Sequence, residues 1–216
     1  KRPVTLFCAE QYAPYDRVRL TELIEHGMTV DDLRLRPDAW YADHKVEVVT
    51  GTRVSRLDTD NLSVFTSASA QRFGAVCMAT GSEALAPPIE GIDKPGVHLY
   101  RYPGDCEKIL DNTSGRKRKR VAVIGGGLLG LEAAKALVSL GCEVTVVHLM
   151  DRLMERQLDS AAASLLLDAM SDLNVSVLTN RSTVEITGKK AADGLRFDDG
   201  ETLPADFVVV SVGASP

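Results

Sequence analysis

The chain has 216 residues, of which 44% are hydrophobic and 25% are charged, so it has the composition of a globular protein with one large domain or two modest ones. Its net charge of −5 at pH 7 disfavours a general nucleic-acid binder. No apolar run approaches the ~20 residues of a membrane-spanning helix. No leader pattern opens the chain, so we expect a cytoplasmic protein without a membrane partner.

Two local features could be mistaken for functional sites. Cys8, Cys77, Cys106 and Cys142 are scattered singly with no C-x-x-C pair, so we expect reduced thiols, no redox disulfide and no metal site. The basic run at residues 116–120 has no interleaved aromatic residues. We interpret it as a solvated linker that enters a strand, with a nucleic-acid patch as the alternative.

The first part of the chain is predicted to contain short strands and helices. Apolar residues recur at helical spacing from residue 17 to residue 26, and Gly27 would end that helix. In chain order we predict a strand at Val4–Cys8, helices at Arg17–His26 and Pro37–His44, strands at Val46–Val49, Arg53–Leu57 and Leu62–Thr66, a turn at Asp58–Asn61, a buried strand at Ala75–Ala79, a linker at Pro87–Gly96 and a helix at Asp105–Asp111.

From residue 121 onward, strands and helices alternate regularly. We predict strands at 121–124, 143–147, 175–178, 183–187, 195–198 and 207–212, with helices at 128–140 and 158–173. Alternation at this spacing predicts a parallel sheet with right-handed crossovers. The fold class is therefore α/β, with two α/β units that flank the linker.

The most specific motif is a glycine-rich turn between a strand and a helix. The strand, turn and helix start together run from Val121 to Ala134 and match the G-x-G-x-x-G fingerprint that holds a dinucleotide pyrophosphate. The first glycine permits a tight turn, the second lets the backbone approach the phosphates, and the third lets the helix pack closely on the strand. The helix N-terminus adds unpaired N–H groups. The predicted nucleotide contacts are Gly125, Gly127, Leu128, Leu129 and Gly130.

The next strand ends at His148, eighteen residues after Gly130. The fingerprint expects an acid there for the ribose 2′-hydroxyl of NAD, or an arginine nearby for the 2′-phosphate of NADP. A histidine can hydrogen-bond a hydroxyl when neutral or a phosphate when protonated. We predict that His148 contacts the nucleotide, with a surface histidine without a ligand role as the alternative. The choice between NADH and NADPH stays open.

Two further apolar strands end in glycine turns on either side of this motif. One runs from Val76 to Thr80 and Gly81, and the other from Val208 to Gly213 and Pro216. With the central motif, they resemble the pyridine nucleotide–disulfide oxidoreductase family. The resemblance implies a three-layer fold of two Rossmann-like domains, in which an NAD(P)H domain is inserted into an FAD domain. The A-T-G strand end would contact FAD, and the G-x-x-P turn would close the insert.

Two longer stretches resemble more narrowly the flavoprotein part of assimilatory NAD(P)H nitrite reductase large subunits. They are Phe7–Leu20 and, more specifically, His148–Asp159. The resemblance extends over the whole chain and implies a partial FAD domain at residues 1–95 and an NAD(P)H domain at residues 96–216. Because the family's first FAD strand and its C-terminal flavin segment have no counterpart, we expect an FAD domain truncated at both ends that retains FAD poorly.

The same resemblance implies individual cofactor contacts. For Arg17 and Arg101 the alternative is a surface ion pair, and for Glu132 it is a solvated helix position. The implied contacts are Glu10 at the FAD ribose, Arg17 near the FAD pyrophosphate, Val54 along the adenine, Thr80 and Gly81 at the A-T-G strand end, Arg101 on the flavin side and Glu132 at the nicotinamide amide.

The expected function is that of an FAD-dependent NAD(P)H oxidoreductase, part of a nitrite reductase large subunit. Electrons would pass to an acceptor domain or protein of iron–sulfur and sirohaem or ferredoxin-like type. Because the cofactors supply the hydride chemistry, no catalytic acid or base is predicted. The alternatives are a ferredoxin or rubredoxin reductase and an NAD(H)-binding module without turnover. The sequence does not determine the oligomeric state.

Overall fold

The computed structural model describes residues 2–115 and 118–216. By its contacts, the chain divides into two units. The first unit contains Lys1–Arg19 and Met28–Thr80, and the second contains Leu20–Gly27 and Gly81–Pro216. The predicted boundary between residues 95 and 96 separates cofactor domains, and it stays a prediction. Of the basic run, residues 116 and 117 lie outside the described residues.

The α-helices are α1 (Glu22–Glu25), α2 (Asp38–Asp43), α3 (Pro103–Thr113), α4 (Leu128–Ser139) and α5 (Ser160–Asp172). The strands are β1 (Val4–Phe7), β2 (Val46–Val49), β3 (Val54–Asp58), β4 (Ser63–Thr66), β5 (Ala70–Arg72), β6 (Glu83–Ala84), β7 (Val97–Leu99), β8 (Arg120–Ile124), β9 (Glu143–Val147), β10 (Val175–Leu178), β11 (Thr183–Thr187), β12 (Gly194–Phe197), β13 (Thr202–Pro204), β14 (Phe207–Val210) and β15 (Ala214–Ser215). Every element predicted from residue 121 onward is present, with ends that differ by at most two residues. Among the described helices, none is long and apolar enough to cross a membrane.

The first unit contains two small sheets. β1 and β2 pair in parallel, whereas β3, β4 and β5 form an antiparallel meander. The predicted turn between β3 and β4 is confirmed, because the Asp58 carboxylate accepts hydrogen bonds from the amides of Asp60 (3.0 Å) and Asn61 (3.1 Å). A side chain that bonds its own turn in this way fixes the start of the hairpin.

The second unit is built on a five-stranded sheet in the order β10-β9-β8-β14-β7. All of its pairings are parallel, which confirms the predicted α/β class. β8 lies in the middle of this sheet. From β8 the chain proceeds outward through β9 to β10, and β14 returns to the other side of β8. Ligands of open α/β sheets bind at the carboxyl ends of the strands where the order reverses in this way.

Both faces of the parallel sheet are covered. One face packs on the antiparallel sheet of β11, β12 and β13 through a cluster that includes Ile124, Val208 and Leu195. Val123 and Val209 are equally buried and alternate with these positions, so they point to the opposite face. α4 contacts β8 and β9. Burial on both faces explains why these strands are continuous apolar runs.

The helix predicted at Arg17–His26 is divided into two shorter pieces. A 3-10 turn spans Arg17–Arg19, and α1 follows at residue 22. Between them the Leu20 carbonyl accepts a hydrogen bond from the Cys106 thiol, and the Thr21 hydroxyl bonds the Tyr100 hydroxyl at 3.0 Å. These tertiary contacts outweigh the helical preference of the segment.

One prediction in the middle of the chain needs correction. Residues 75–79 are not a buried strand: they are irregular, and the Met78 side chain is exposed. A strand needs a neighbour to satisfy its backbone groups, and no described strand pairs with this segment. The predicted linker contains no described helix or strand, and it packs on β11. The backbone of Glu90 forms an isolated parallel β-bridge with Glu185, and the Lys94 ammonium donates to the Ile186 carbonyl at 2.6 Å.

We expect Leu195→Ala to lower the free energy of unfolding by about 2–5 kcal/mol, because it leaves a cavity between the two sheets of the second unit. Leu195 has no exposed surface, whereas Leu165 on α5 is 72% exposed. Leu165→Ala is therefore the matched control and should change stability by less than about 0.5 kcal/mol. Urea denaturation followed by circular dichroism measures both, and equal effects would contradict the packing described.

Candidate functional site

The glycine-rich segment forms a tight turn at the carboxyl end of the central strand β8. Gly125 has φ +121, which side-chain-bearing residues rarely adopt, and a Cβ there would lie 2.1 Å from the Ser211 carbonyl oxygen. The Gly125 amide still donates to the Val147 carbonyl at 2.9 Å. The turn is thus bonded to β9 and packed against the end of β14.

The helix after the turn lies unusually close to it. A Cβ on Gly130 would lie 2.0 Å from the Gly125 carbonyl oxygen, so only glycine fits. At Gly127 a Cβ would have no atom within 4 Å. The three glycines therefore match the three predicted geometric roles, since two are enclosed by backbone and the middle one is open.

The open position coincides with the start of α4. Gly127 is the N-cap residue, and no side chain caps the helix there. The first amides of an α-helix have no acceptor inside the helix, which here applies to Leu128, Leu129 and Gly130. These amides and the positive end of the helix dipole create a site suited to an anion.

His148 lies against the turn. It is only 9% exposed, and its Nδ1 accepts a hydrogen bond from the Gly126 amide at 3.0 Å. Its Nε2 lies 3.1 Å from a carboxylate oxygen of Glu155. A Cβ on Gly126 would lie 2.7 Å from both the His148 ring and Leu153. The ring is therefore part of the wall of the turn, and its predicted contact with a nucleotide stays a prediction.

Glu155 lies beside His148 at the turn, and the sequence did not predict this position for it. It belongs to an irregular loop that returns to the turn, where the Met154 amide donates to the Gly126 carbonyl at 3.0 Å. Leu153 anchors the same loop and is 1% exposed. The sequence signal for this contact is Leu153, an apolar residue within a charged loop. It predicts that the loop is anchored, but it does not predict that Glu155 lies at the turn.

Glu132, one turn into α4, is half-buried beside a second acid. Burial raises the pKa of the Glu132 carboxyl, the Glu25 carboxylate raises it further, and the Lys135 ammonium opposes the shift. Lys135 pairs with Glu25 at 3.1 Å. The buried Tyr100 lies nearby, and burial likewise raises its phenol pKa. The carboxyl of Glu132 is therefore poised to carry a proton more readily than an exposed glutamate.

Two other predicted residues lie in the second unit. Gly213 has φ +123 and follows β14, and its carbonyl accepts a hydrogen bond from the Leu85 amide at 3.0 Å. The Arg101 guanidinium donates to the carbonyl of Ser82 at 3.3 Å and also bonds the hydroxyl of that serine. Arg101 thus holds the segment that begins at Gly81, where φ is +69.

In the first unit, Glu10 and Arg17 lie together. The Arg17 guanidinium donates to one Glu10 carboxylate oxygen at 2.7 Å, and the Tyr15 hydroxyl donates to the other at 2.8 Å. Both charged side chains are partly exposed. Burial, and secondarily the Glu10 carboxylate, raise the pKa of the nearby Cys8 thiol. Glu10 and Arg17, which are both predicted to contact FAD, therefore lie in one cluster.

The remaining predicted residues of the first unit, Val54 and Thr80, are exposed. The unit also contains a cavity of about 370 Å³, and none of the predicted site residues lines it. Its charged lining is already paired, since Arg34 bonds Asp31 and Asp38, each at 2.8 Å. Among the described residues, no cluster of His, Cys, Asp and Glu is arranged to hold a metal ion.

Comparison with known proteins identifies close relatives over the whole chain. A family model described as pyridine nucleotide-disulphide oxidoreductase matches residues 1–216. Over 99% of its length, the chain is 39% identical to an NAD(P)H nitrite reductase of Bacillus subtilis and 38% identical to the NADH nitrite reductase large subunit of Escherichia coli. It covers 26% and 25% of these relatives, so it spans about a quarter of their length.

The fold is also found in solved structures. A ferredoxin reductase from Rhodopseudomonas palustris superposes with a TM-score of 0.93 and 28% identity, over 99% of this chain and 53% of that one. The predicted α/β fold of the two-dinucleotide type is therefore confirmed.

The turn geometry predicts unequal losses of stability for two glycine substitutions. Gly130→Ala forces a Cβ into the Gly125 carbonyl and should lower the free energy of unfolding by about 1–3 kcal/mol or more. Gly127→Ala adds the same methyl group in open space, where φ is −85, and should cost less than about 1 kcal/mol. Urea denaturation of both variants measures the difference. Similar losses would contradict the close approach of α4.

Proposed function

We propose that this chain, which belongs to the pyridine nucleotide-disulphide oxidoreductase family, takes electrons from NAD(P)H and passes them through FAD to an acceptor. When bound, NAD(P)H supplies a hydride and FAD accepts it and releases electrons singly, so the cofactors supply the chemistry. The protein binds and orients them. The observation that carries the proposal is the glycine turn of β8 and α4, which is closed at Gly125 and Gly130 and open at Gly127.

We assign the pyrophosphate of NAD(P)H to this turn. The site fits the group, because a Cβ at Gly127 would fill the space that a phosphate needs, and nothing of the protein fills it. The amides of Leu128, Leu129 and Gly130 would donate to the phosphate oxygens. Gly125 sets the turn, and Gly213 follows the neighbouring strand β14 at the same edge of the sheet.

Glu132 is assigned to the amide of the nicotinamide. Its carboxyl is half-buried, and it lies one turn after the open end of the helix. A buried carboxyl or carboxylate is a specific partner for an amide N–H, because few other acceptors are available to it there. Glu132 would orient the ring and take no proton in the hydride step.

The Glu10 and Arg17 cluster is assigned to the ribose and pyrophosphate of FAD. The fit is chemical: a carboxylate offers about four acceptor sites, and among the described residues two side-chain donors, those of Tyr15 and Arg17, bond Glu10. Its remaining sites suit ribose hydroxyls, and the guanidinium suits a phosphate. Val54, Thr80, Gly81 and Arg101 complete the proposed FAD contacts. The domains that we propose are an FAD domain at residues 1–95 and an NAD(P)H domain at residues 96–216, which contains Arg101.

We propose nitrite reduction as the overall reaction of the protein that contains this chain. The support is identity of 35–39% to bacterial nitrite reductases and a nitrate reductase electron transfer subunit. The acceptor would be an iron–sulfur and sirohaem domain or partner in the cytoplasm.

A ferredoxin reductase is the second candidate. It is supported by 30% identity to the ferredoxin reductase subunit of a Pseudomonas putida benzene dioxygenase, of which this chain covers 52%, and by the likeness to the R. palustris enzyme. A ferredoxin-like protein would then be the acceptor. Reduction of nitrite by the purified protein with NADH or NADPH favours the first candidate, and reduction of an added ferredoxin without nitrite reduction favours the second.

The flavin itself provides the direct test of electron transfer. Anaerobic addition of NADH or NADPH to the full-length protein should bleach the flavin absorbance near 450 nm, because the hydride moves to the flavin. A protein that binds NADH but holds no flavin and reduces no dye would instead be a nucleotide-binding module. That result would contradict the proposed oxidoreductase activity.

Gly127→Val should abolish NADH binding without unfolding the protein. The valine occupies the space assigned to the pyrophosphate, and its Cβ would have no atom of the protein within 4 Å. Isothermal titration calorimetry measures the affinity, and circular dichroism checks the fold. Unchanged affinity for NADH would show that the nucleotide binds elsewhere.

A further inference from the structure

We propose that Glu155, held in place by His148, is the carboxylate that makes this chain select NADH over NADPH. The inference rests on the proposed nucleotide site at the glycine turn. It concerns the end of β9, where a dinucleotide fold ordinarily presents an acid to the adenosine ribose. Here that position is occupied by His148, and the nearest acid bonded to it lies seven residues further along the chain.

The contacts of His148 assign it a positioning role. Because the Gly126 amide donates to Nδ1, that nitrogen carries no proton, and Nε2 is the protonated nitrogen. Nε2–H then donates to the Glu155 carboxylate at 3.1 Å. Both nitrogens are used within the protein, so the ring links the turn to the acid and leaves the ligand contact to Glu155.

Glu155 is held at the turn from its own side as well. Met154, its neighbour, adopts φ +50 and donates its amide to the Gly126 carbonyl at 3.0 Å. Leu153 is buried against the same glycine. The Glu155 side chain nevertheless keeps 23% of its surface exposed, compared with 10% for the His148 ring. Glu155 is thus the part of the linked pair that a ligand can reach.

A carboxylate at this position distinguishes the two nucleotides by charge. One Glu155 oxygen accepts from His148, and the remaining acceptor sites suit the 2′- and 3′-hydroxyls of an adenosine ribose, which can donate. The 2′-phosphate of NADPH cannot donate when ionised, and its charge repels the carboxylate.

Among the described residues, the arginines near Glu155 form no built site for a 2′-phosphate. Arg152 bonds Asp151 at 3.0 Å and the Leu158 carbonyl at 3.3 Å. Arg181 is paired with Asp199 and Glu201. Arg156 is 87% exposed, with its guanidinium 3.7 Å from Glu155. Of the described arginines near Glu155, Arg156 is the most available to bind a phosphate. Its substitution is therefore the control in the test below.

The test uses ADP-ribose and 2′-phospho-ADP-ribose, which lack the nicotinamide, so that binding is measured without electron transfer. Calorimetry on the full-length, flavin-loaded protein should show at least about tenfold tighter binding of ADP-ribose, the usual effect of one charged hydrogen bond. Glu155→Gln should weaken ADP-ribose binding about tenfold and bring the two affinities close together. Arg156→Gln, one residue away on the same loop, should leave their ratio unchanged.

His148→Asn tests the positioning role. Asparagine keeps an acceptor where Nδ1 lies, so the Gly126 bond can persist, but it has no atom at the place of Nε2. We expect weaker ADP-ribose binding with little change for the 2′-phospho compound, and no further loss when Glu155→Gln is added, because the two residues act as one unit. A merely structural role would weaken both ligands equally.

Four results overturn the inference. Equal binding of the two compounds by the unchanged protein would show that the chain does not select NADH. Tighter binding of the 2′-phospho compound that Arg156→Gln removes would assign the loop to NADPH. Glu155→Gln with an unchanged ratio would remove the acid from the site. Failure of both compounds to bind would overturn the proposed nucleotide site itself, and the inference with it.

Discussion

The second unit depends on the close approach of α4 to the end of β8. No side chain separates Gly130 from the Gly125 carbonyl, so the helix begins directly above the central strand. This approach aligns the helix axis with the turn and directs its first amides into the open space at Gly127. The parallel sheet, buried on both faces, holds β8 in place beneath the turn. One steric constraint thereby connects the core to the proposed nucleotide site.

Around this constraint, the proposed nucleotide site is arranged in three layers. Backbone and glycine form the proposed pyrophosphate cradle, in which a Cβ at Gly125 or Gly130 would collide with a carbonyl oxygen. Glu25 and Glu132, both half-buried, and the exposed Lys135 form a charged group at the first turns of α4. The loop after β9 is the outermost layer and carries the residues proposed to discriminate between nucleotides.

Much of the second unit could be predicted from sequence because its strands are buried apolar runs and its turn requires glycine at fixed spacing. Residues 75–79 have the same composition, yet they are exposed, because burial of a strand depends on neighbours that composition does not specify. The division of the segment at Leu20 and Thr21 depends on contacts with distant Cys106 and Tyr100. The position of Glu155 was not predicted because it lies in an irregular loop. The sequence of such a loop has no periodicity that would show that the loop packs back on the glycine turn.

The bonds around Gly126 have a further consequence. Its amide is held by His148 and its carbonyl by Met154, so both of its backbone polar groups are bonded within the protein before any ligand is present. The turn is therefore preorganised. A nucleotide that binds there does not have to order the backbone, and affinity is not reduced by that entropic cost.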